Sequence, residues 1–256
     1  MLIMSRVGEI HNSVKYGDML IKEKLDKDYY VVEFVNTGFT TKSQISKILN
    51  GKVKDHLAPC VFGVGITSNL PTKTSDGRAL PDYNLWCGML ERCYSDKYQQ
   101  KKPTYIGCSV SENFRYYSYF KEWCCRQVGF SDLDNKGRKF VLDKDILLKG
   151  NKLYSENTCC FVPVEINSAL TRCNSRRGLY PVGVTYDATK TLPFQPTVSF
   201  EGKNKRLERC ASAEEAFYIY KQTKEAIIKS LAEKYKNLID YKVYEALLKY
   251  EVEITD

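Results

Sequence analysis

Four polar side chains within residues 140–170 are of types that act on phosphodiester bonds. Asp143, Lys144 and Asp145 follow a run of strand-forming residues, and Asn167 lies in the first turns of a predicted helix. The order of strand, polar loop, strand and helix predicts a ββα unit, in which the end of the first strand faces the first turns of the helix. A carboxylate and an amide placed there can hold one divalent cation, Mg²⁺ or Mn²⁺. The spacing therefore predicts a cation site formed by Asp143 and Asn167.

The elements that must position these side chains are two strands and one helix. The strands are predicted at 139–147 and 159–162, and the helix begins near Val164, because Pro163 is tolerated at or just before a first turn. A purely structural interpretation stays open at this point. The three charged residues after the first strand could simply end it, and Asn167 could lie on the surface of the helix.

The same stretch resembles the HNH endonuclease motif, in the variant common among bacteriophage genes. The resemblance covers roughly residues 82–170 and includes the tryptophan-bearing helices that precede the motif. Its matching residues are Asp143-Lys144-Asp145, Gly150-Asn151, Tyr154-Ser155, Cys159 and Ile166-Asn167, with Trp86, Met89, Arg92 and Trp123 upstream.

The resemblance implies a role for each of these positions. Asp143 and Asn167 fall on metal-ligand positions, and Lys144 falls where the family has the histidine that activates water. Thr158 falls where the family has the asparagine that orients this histidine. Since the unperturbed pKa of lysine is about 10.4, Lys144 is better suited to contact phosphate. Asp145, or a metal-bound hydroxide, is then an alternative base.

A second signal lies in residues 172–236. Short strands are predicted at 181–187, 194–200 and 205–210, and Ser212 with Glu215 forms a capping box that opens a long amphipathic helix. This arrangement resembles the three-stranded DNA-reading domain of plant ethylene-response factors, which also accompanies phage HNH proteins. Pro196 departs from the pattern, because a proline inside a strand indicates an edge or a bulge.

Charge independently favours a nucleic-acid partner for this region. Between Ser168 and Cys210 the chain has eight basic and three acidic residues. A small sheet can enter the major groove of DNA, where arginine and lysine meet guanine edges or phosphates. The predicted DNA-binding residues are Arg172, Arg176, Arg177, Lys203, Lys205, Arg206 and Arg209.

The whole composition is that of an ordinary folded chain with a positive charge. Its 256 residues are 43% hydrophobic and 27% charged, with a formal charge of +8 that favours a polyanionic partner. No apolar run approaches the ~18 residues of a membrane span, and the N-terminus lacks a secretory signal. We therefore expect a cytoplasmic protein, in an infected bacterial cell if the resemblance holds, that does not bind membranes.

The ten cysteines do not have the spacing of a zinc site. No Cys-x-x-Cys occurs, and His11 and His56 are the only histidines. Zinc is therefore not expected, and the cysteines are predicted to be small buried thiols in a reducing compartment.

The sequence predicts an α+β protein with a small N-terminal β module and three further segments. Strands are expected at 29–34 and 60–65, one or two helical turns at 42–49, and a helix at 82–94. The predicted limits are a β-rich domain 1–66, a linker 67–81, an HNH-like ββα domain 82–170 and a sheet-plus-helix DNA-binding domain 171–256.

These features together predict a protein that binds double-stranded DNA. The resemblance implies a divalent-metal-dependent endonuclease or nickase, a hydrolase of phosphodiester bonds. The alternative is a catalytically inactive protein of the same fold, which binds DNA or a host protein to regulate or block host functions. The missing histidine favours that alternative. Binding of structured RNA is a third possibility, since tyrosines and basic residues also suit unpaired bases.

Overall fold

The chain has a mixed α+β fold, as predicted. The computed structural model describes residues 6–171, 179–200 and 202–254. It divides into two compact units, Met1–Glu122 and Trp123–Asp256.

The first unit begins with a four-stranded antiparallel sheet in which each strand pairs with the next along the chain. Its strand Tyr29–Phe34 confirms the prediction for that segment, and alternate residues of the strand point into the core. The predicted helical turns at 42–49 are only partly correct, because the sheet continues to Gln44. The elements are β1 Ile10–Ser13, β2 Gly17–Lys24, β3 Tyr29–Phe34, β4 Thr40–Gln44 and α1 Ile45–Leu49.

The rest of the first unit is mainly helical. The helix predicted at 82–94 is confirmed, and it buries Trp86, whose indole N–H donates to the Phe114 carbonyl at 2.8 Å. The elements are α2 Pro81–Tyr94, α3 Asp96–Lys101, β5 Ser109–Val110 and α4 Tyr117–Cys125, with short 3₁₀ turns at Pro103–Tyr105 and Asn113–Arg115.

The strand predicted at 60–65 is wrong, because these residues form a tight turn. The Gly65 amide donates to the Val61 carbonyl at 2.8 Å, and Phe62 and Gly63 have positive φ values of 51° and 72° that an extended strand cannot contain. A side chain at Gly65 would lie 2.7 Å from the Trp86 ring, so this turn depends on glycine for its close approach to α2.

The second unit contains the predicted ββα arrangement. β6 pairs antiparallel with β8, and α5 packs against β6. The first strand is shorter than predicted, because the Asp143 carboxylate accepts hydrogen bonds from the Asp145 and Ile146 amides and turns the chain there. The elements are β6 Val141–Asp143, β7 Leu153–Tyr154, β8 Cys160–Val162 and α5 Val164–Leu170.

The predicted three-stranded sheet and long helix complete the second unit. The strand order is β11-β10-β9, both pairings are antiparallel, and α6 packs across β10 and β9. Ser212 Oγ caps α6 by accepting from the Glu215 amide at 3.1 Å, as predicted. The third strand lies earlier than expected, directly after the turn at Gly202. The elements are β9 Val184–Tyr186, β10 Phe194–Phe200, β11 Lys203–Arg206, α6 Ala213–Tyr235 and α7 Tyr241–Leu248.

Pro196 lies in the central strand of this sheet and not at an edge, but the pairing shifts by one residue beside it, as the alternative of a bulge expects. Thr197 is opposite Arg206, whereas Phe194 is opposite Cys210. The Leu207 amide donates to the Pro196 carbonyl at 2.9 Å, but proline has no N–H for the reciprocal bond. The buried Gln195 side chain replaces it, because its Nε2 donates to the Leu207 carbonyl at 2.6 Å. A side-chain amide therefore satisfies the acceptor that proline cannot reach.

We expect Gln195→Leu to destabilise the second unit by about 1–3 kcal/mol, the usual cost of a buried acceptor left without a donor. Chemical denaturation followed by circular dichroism measures this change. Thr197→Val is the control, since its side chain has no hydrogen bond to a described residue. An equal effect of the two substitutions would contradict this role of Gln195.

Candidate metal and nucleic-acid sites

The ββα unit places Asp143 and Asn167 on elements that pack together. Asp143 is the last residue of β6, opposite Cys160 of β8, and Asn167 lies in the middle of α5. Asp143 Oδ1 accepts from the Asp145 and Ile146 amides at 2.6 and 3.0 Å. Its second oxygen and the Asn167 side-chain amide form no hydrogen bond with any residue in the described ranges. Both groups therefore keep oxygen lone pairs that a cation can use.

Burial raises the pKa of Asp143 above its usual value, against the lowering effect of the hydrogen bond from the Asp145 amide. A carboxylate in such surroundings is stabilised in its charged form by a nearby cation. Among the described residues, no group of three or more His, Cys, Asp or Glu side chains could hold a metal. The predicted pair, Asp143 and Asn167, would supply only two oxygen ligands, a number compatible with Mg²⁺ or Mn²⁺ that keeps water and phosphate oxygens as its other ligands.

Lys144 is a buried structural contact. The residue is only 5% exposed, and its ammonium donates to both carboxylate oxygens of Asp145 and to the Asn151 carbonyl, each at 2.7 Å. An ammonium has three protons and no lone pair, so these three bonds use its whole donor capacity. In this arrangement Lys144 cannot accept a proton from water, and it has no proton left for phosphate.

The loop after β6 is closed by Asn151 and Thr158. The Asn151 side chain donates to the Lys144 and Leu153 carbonyls at 2.8 and 2.6 Å and accepts from the Leu153 amide at 3.1 Å. Thr158 Oγ1 donates to the Leu153 carbonyl at 2.7 Å. Thr158, which the resemblance assigns to the orienting position, thus holds the loop. Sequence reasoning missed the clamp by Asn151, although Gly150-Asn151 marks a turn there.

Helix α5 is attached to helix α6 through Glu165. Its Oε2 accepts from Lys234 Nζ at 2.7 Å and from the Tyr235 hydroxyl at 2.6 Å. Burial alone would raise the pKa of Glu165, but these two donors outweigh it and lower the pKa below its usual value. The helix that contains Asn167 is therefore fixed to the helix that supports the three-stranded sheet.

The described basic residues of the sheet lie on different faces. Lys203, Lys205 and Arg206 are all exposed on β11. Lys205 is opposite Val198, which is buried beneath α6, so Lys205 and Lys203 lie on the α6 side of the sheet, at its edge. Arg206 is opposite Thr197 and therefore lies on the outer face.

The outer face of the sheet is polar throughout its exposed part. By register it contains Thr185, Thr197, Ser199, Asn204 and Arg206, and the Ser199 and Asn204 side chains are hydrogen-bonded to each other. These are hydroxyl, amide and guanidinium groups of the kinds that meet base edges and phosphates.

The other predicted DNA-binding residues are Arg209, which makes contacts within the fold, and three arginines that lie outside the described residues. Arg209 donates to the Leu192 carbonyl at 3.1 Å and forms an ion pair with Asp187 at 3.6 Å, so it fixes the turn between β9 and β10. Arg172, Arg176 and Arg177 lie outside the described residues.

Comparisons with models of known protein families, with curated proteins and with solved structures find no match to this chain. No helix in the described part of the chain is long and apolar enough to cross a membrane. The nine described cysteines are free thiols, and six of them are buried.

Proposed function

We propose that this protein binds double-stranded DNA through the outer face and the β11 edge of its three-stranded sheet. The observation that supports the proposal is the exposed polar face with Arg206, next to the exposed Lys203 and Lys205. A sheet of this size fits the major groove. Arg206 would then face the bases or the groove edge, while the two lysines at the edge would contact flanking phosphates.

The proposal predicts that Lys205→Glu/Arg206→Glu weakens binding to duplex DNA about ten-fold or more and lowers the salt dependence of binding, because fewer counterions are released. Fluorescence anisotropy at several salt concentrations measures both quantities. The control is Lys229→Glu/Lys242→Glu, which makes the same change in net charge at exposed positions on α6 and α7. Equal losses in the two variants would indicate a general charge effect and would contradict the assignment of the sheet.

A second candidate function is metal-dependent hydrolysis of DNA at the ββα unit. The observation that favours it is the pair of free oxygen donors on Asp143 and Asn167, which would hold the cation. A bound Mg²⁺ would polarise the scissile phosphate and stabilise the leaving oxygen. Since Lys144 has no free lone pair, the half-exposed carboxylate of Asp145 is the side chain left to accept a proton from water.

A supercoiled-plasmid assay with Mg²⁺, Mn²⁺ or EDTA tests this second function. If the site is active, the plasmid is nicked or linearised only with metal, and Asn167→Ala abolishes the product while a gel shift remains. Ser168→Ala, at the exposed neighbouring position of α5, should leave the product unchanged. Intact plasmid under every condition, with the gel shift retained, would mean that the ββα fold serves binding alone.

A further inference from the structure

Three aromatic rings form a cluster at one end of the three-stranded sheet, in which Tyr186 is exposed while Tyr180 and Phe194 are half-buried against the core. The rings of Tyr180, Tyr186 and Phe194 lie with centroids 5.1 to 5.3 Å apart. Tyr186 is 47% exposed, although it is opposite Phe194 across the β9–β10 pair and lies on the α6 side of the sheet. Leu192, in the turn beside it, is 43% exposed. The cluster therefore presents an aromatic surface to solvent.

The hydroxyl of Tyr186 contributes nothing to the described fold. It forms no hydrogen bond with a residue in the described ranges, and its ring packs against the rings of Tyr180 and Phe194. Phe194 is held by its backbone instead, since its amide and carbonyl both bond to Cys210, at 3.2 and 2.9 Å. An exposed tyrosine on a rigid aromatic base is thus available for an external contact.

Two basic side chains lie in or beside the turn next to the cluster. The Arg209 guanidinium is fixed next to the cluster by the Leu192 carbonyl, and Lys190 is exposed in the same turn. The one acidic residue of this turn, Asp187, is occupied by hydrogen bonds from Thr189 and by the ion pair with Arg209. An aromatic surface next to basic side chains is the arrangement that binds single-stranded nucleic acid, because bases stack on the rings while cations meet the backbone.

We propose that this aromatic cluster stacks an unpaired base, so that the protein prefers DNA with a single-stranded segment next to a duplex. The proposal rests on the proposed DNA binding and specifies its substrate. Three rings match the size of one or two bases, whereas a stable protein interface needs about 800 Å² on each partner. The cluster lies on the α6 side of the sheet and the polar face on the other side, so duplex and unpaired strand would contact different surfaces.

The test compares a blunt duplex with the same duplex extended by an unpaired thymine tract. Wild type should bind the extended DNA about ten-fold more tightly, a usual contribution of base–aromatic stacking. Tyr186→Ala should lose this preference and keep its affinity for the blunt duplex, whereas Tyr186→Phe should retain both. Tyr218→Ala is the matched control, because Tyr218 is another exposed tyrosine, on α6.

A fluorescent adenine analogue placed in the single-stranded extension reports stacking directly, which a measurement of affinity does not. Stacking should quench its fluorescence with wild type and Tyr186→Phe, and the quenching should disappear with Tyr186→Ala. Equal affinity of wild type for both DNAs would overturn the stacking role alone, and no binding to either DNA would overturn the proposed function itself. Self-association that Tyr186→Ala abolishes, without quenching, would show that a second copy of the chain covers the cluster and would also overturn the proposal.

Discussion

Gly183→Ala is expected to destabilise the second unit by about 4 kcal/mol, a large part of the total stability of a domain. Two causes add at this position. Gly183 has a φ of +76°, where a side chain costs about 1–2 kcal/mol. A Cβ there would also lie 2.6 Å from Cγ of Tyr220, a buried ring that has little room to move, and such overpacking costs about 1–3 kcal/mol.

Gly202→Ala separates these two causes. Gly202 has nearly the same φ, +75°, but a Cβ there would meet no atom within 4 Å. Its substitution should therefore cost only the conformational part, about 1–2 kcal/mol. Urea denaturation of both variants measures the difference. Equal costs would show that the contact between Gly183 and Tyr220 does not constrain the sheet.

The C-terminal sheet and its helix could be predicted from the sequence because their signals are local. The alternation of residues in the strands, the turn glycines and the cap at Ser212 are all local signals, and each is present in the fold. Helix α2 was predictable for the same reason, since Trp86, Met89 and Leu90 recur at helical spacing and are all buried.

The features that the sequence did not predict depend on contacts between segments. Gln195 satisfies Leu207 twelve residues away, and no local pattern marks that bond. The turn at 60–65 is apolar and strand-like in composition, but its close approach to Trp86 determines its shape. At the ββα unit the local pattern predicts Asp143 and Asn167 as a pair of ligands, whereas the use of all three Lys144 protons follows from the path of the loop.

The stability of the ββα unit depends on the ion pair between Lys144 and Asp145, two residues that the sequence predicts to be catalytic. Asp145 is half-exposed and Lys144 is buried, so water can solvate the carboxylate but not the ammonium. Removing Asp145 should therefore destabilise the fold more than removing Lys144, because it leaves a buried charge unpaired, and an unpaired buried charge costs far more than an exposed one. The two single substitutions should therefore differ in their free energy of unfolding, a difference that a purely catalytic role of these residues does not produce.

Asp145→Ala is expected to lower the free energy of unfolding by about 3 kcal/mol, because it removes the carboxylate that pairs with a buried ammonium. The Asn151 carbonyl, the face of the Tyr154 ring and the nearby charge of Asp143 would remain. Lys144→Met should cost about 1–2 kcal/mol, for the unsatisfied Asn151 carbonyl. The double variant should lose at most about 0.5 kcal/mol more of the free energy of unfolding than Lys144→Met alone, since both substitutions remove the same interaction.

Chemical denaturation of the two single variants and the double variant at neutral pH checks this order. A general base at Lys144 would give a different pattern, in which Lys144→Met keeps full stability and loses only activity. The reverse order of stabilities, with Lys144→Met the less stable, would mean that the Lys144 ammonium does not depend on Asp145 to offset its burial. The expected order would instead assign Lys144 a structural role, in which its ammonium joins Asp145 to the Asn151 carbonyl and so fixes the path of this loop.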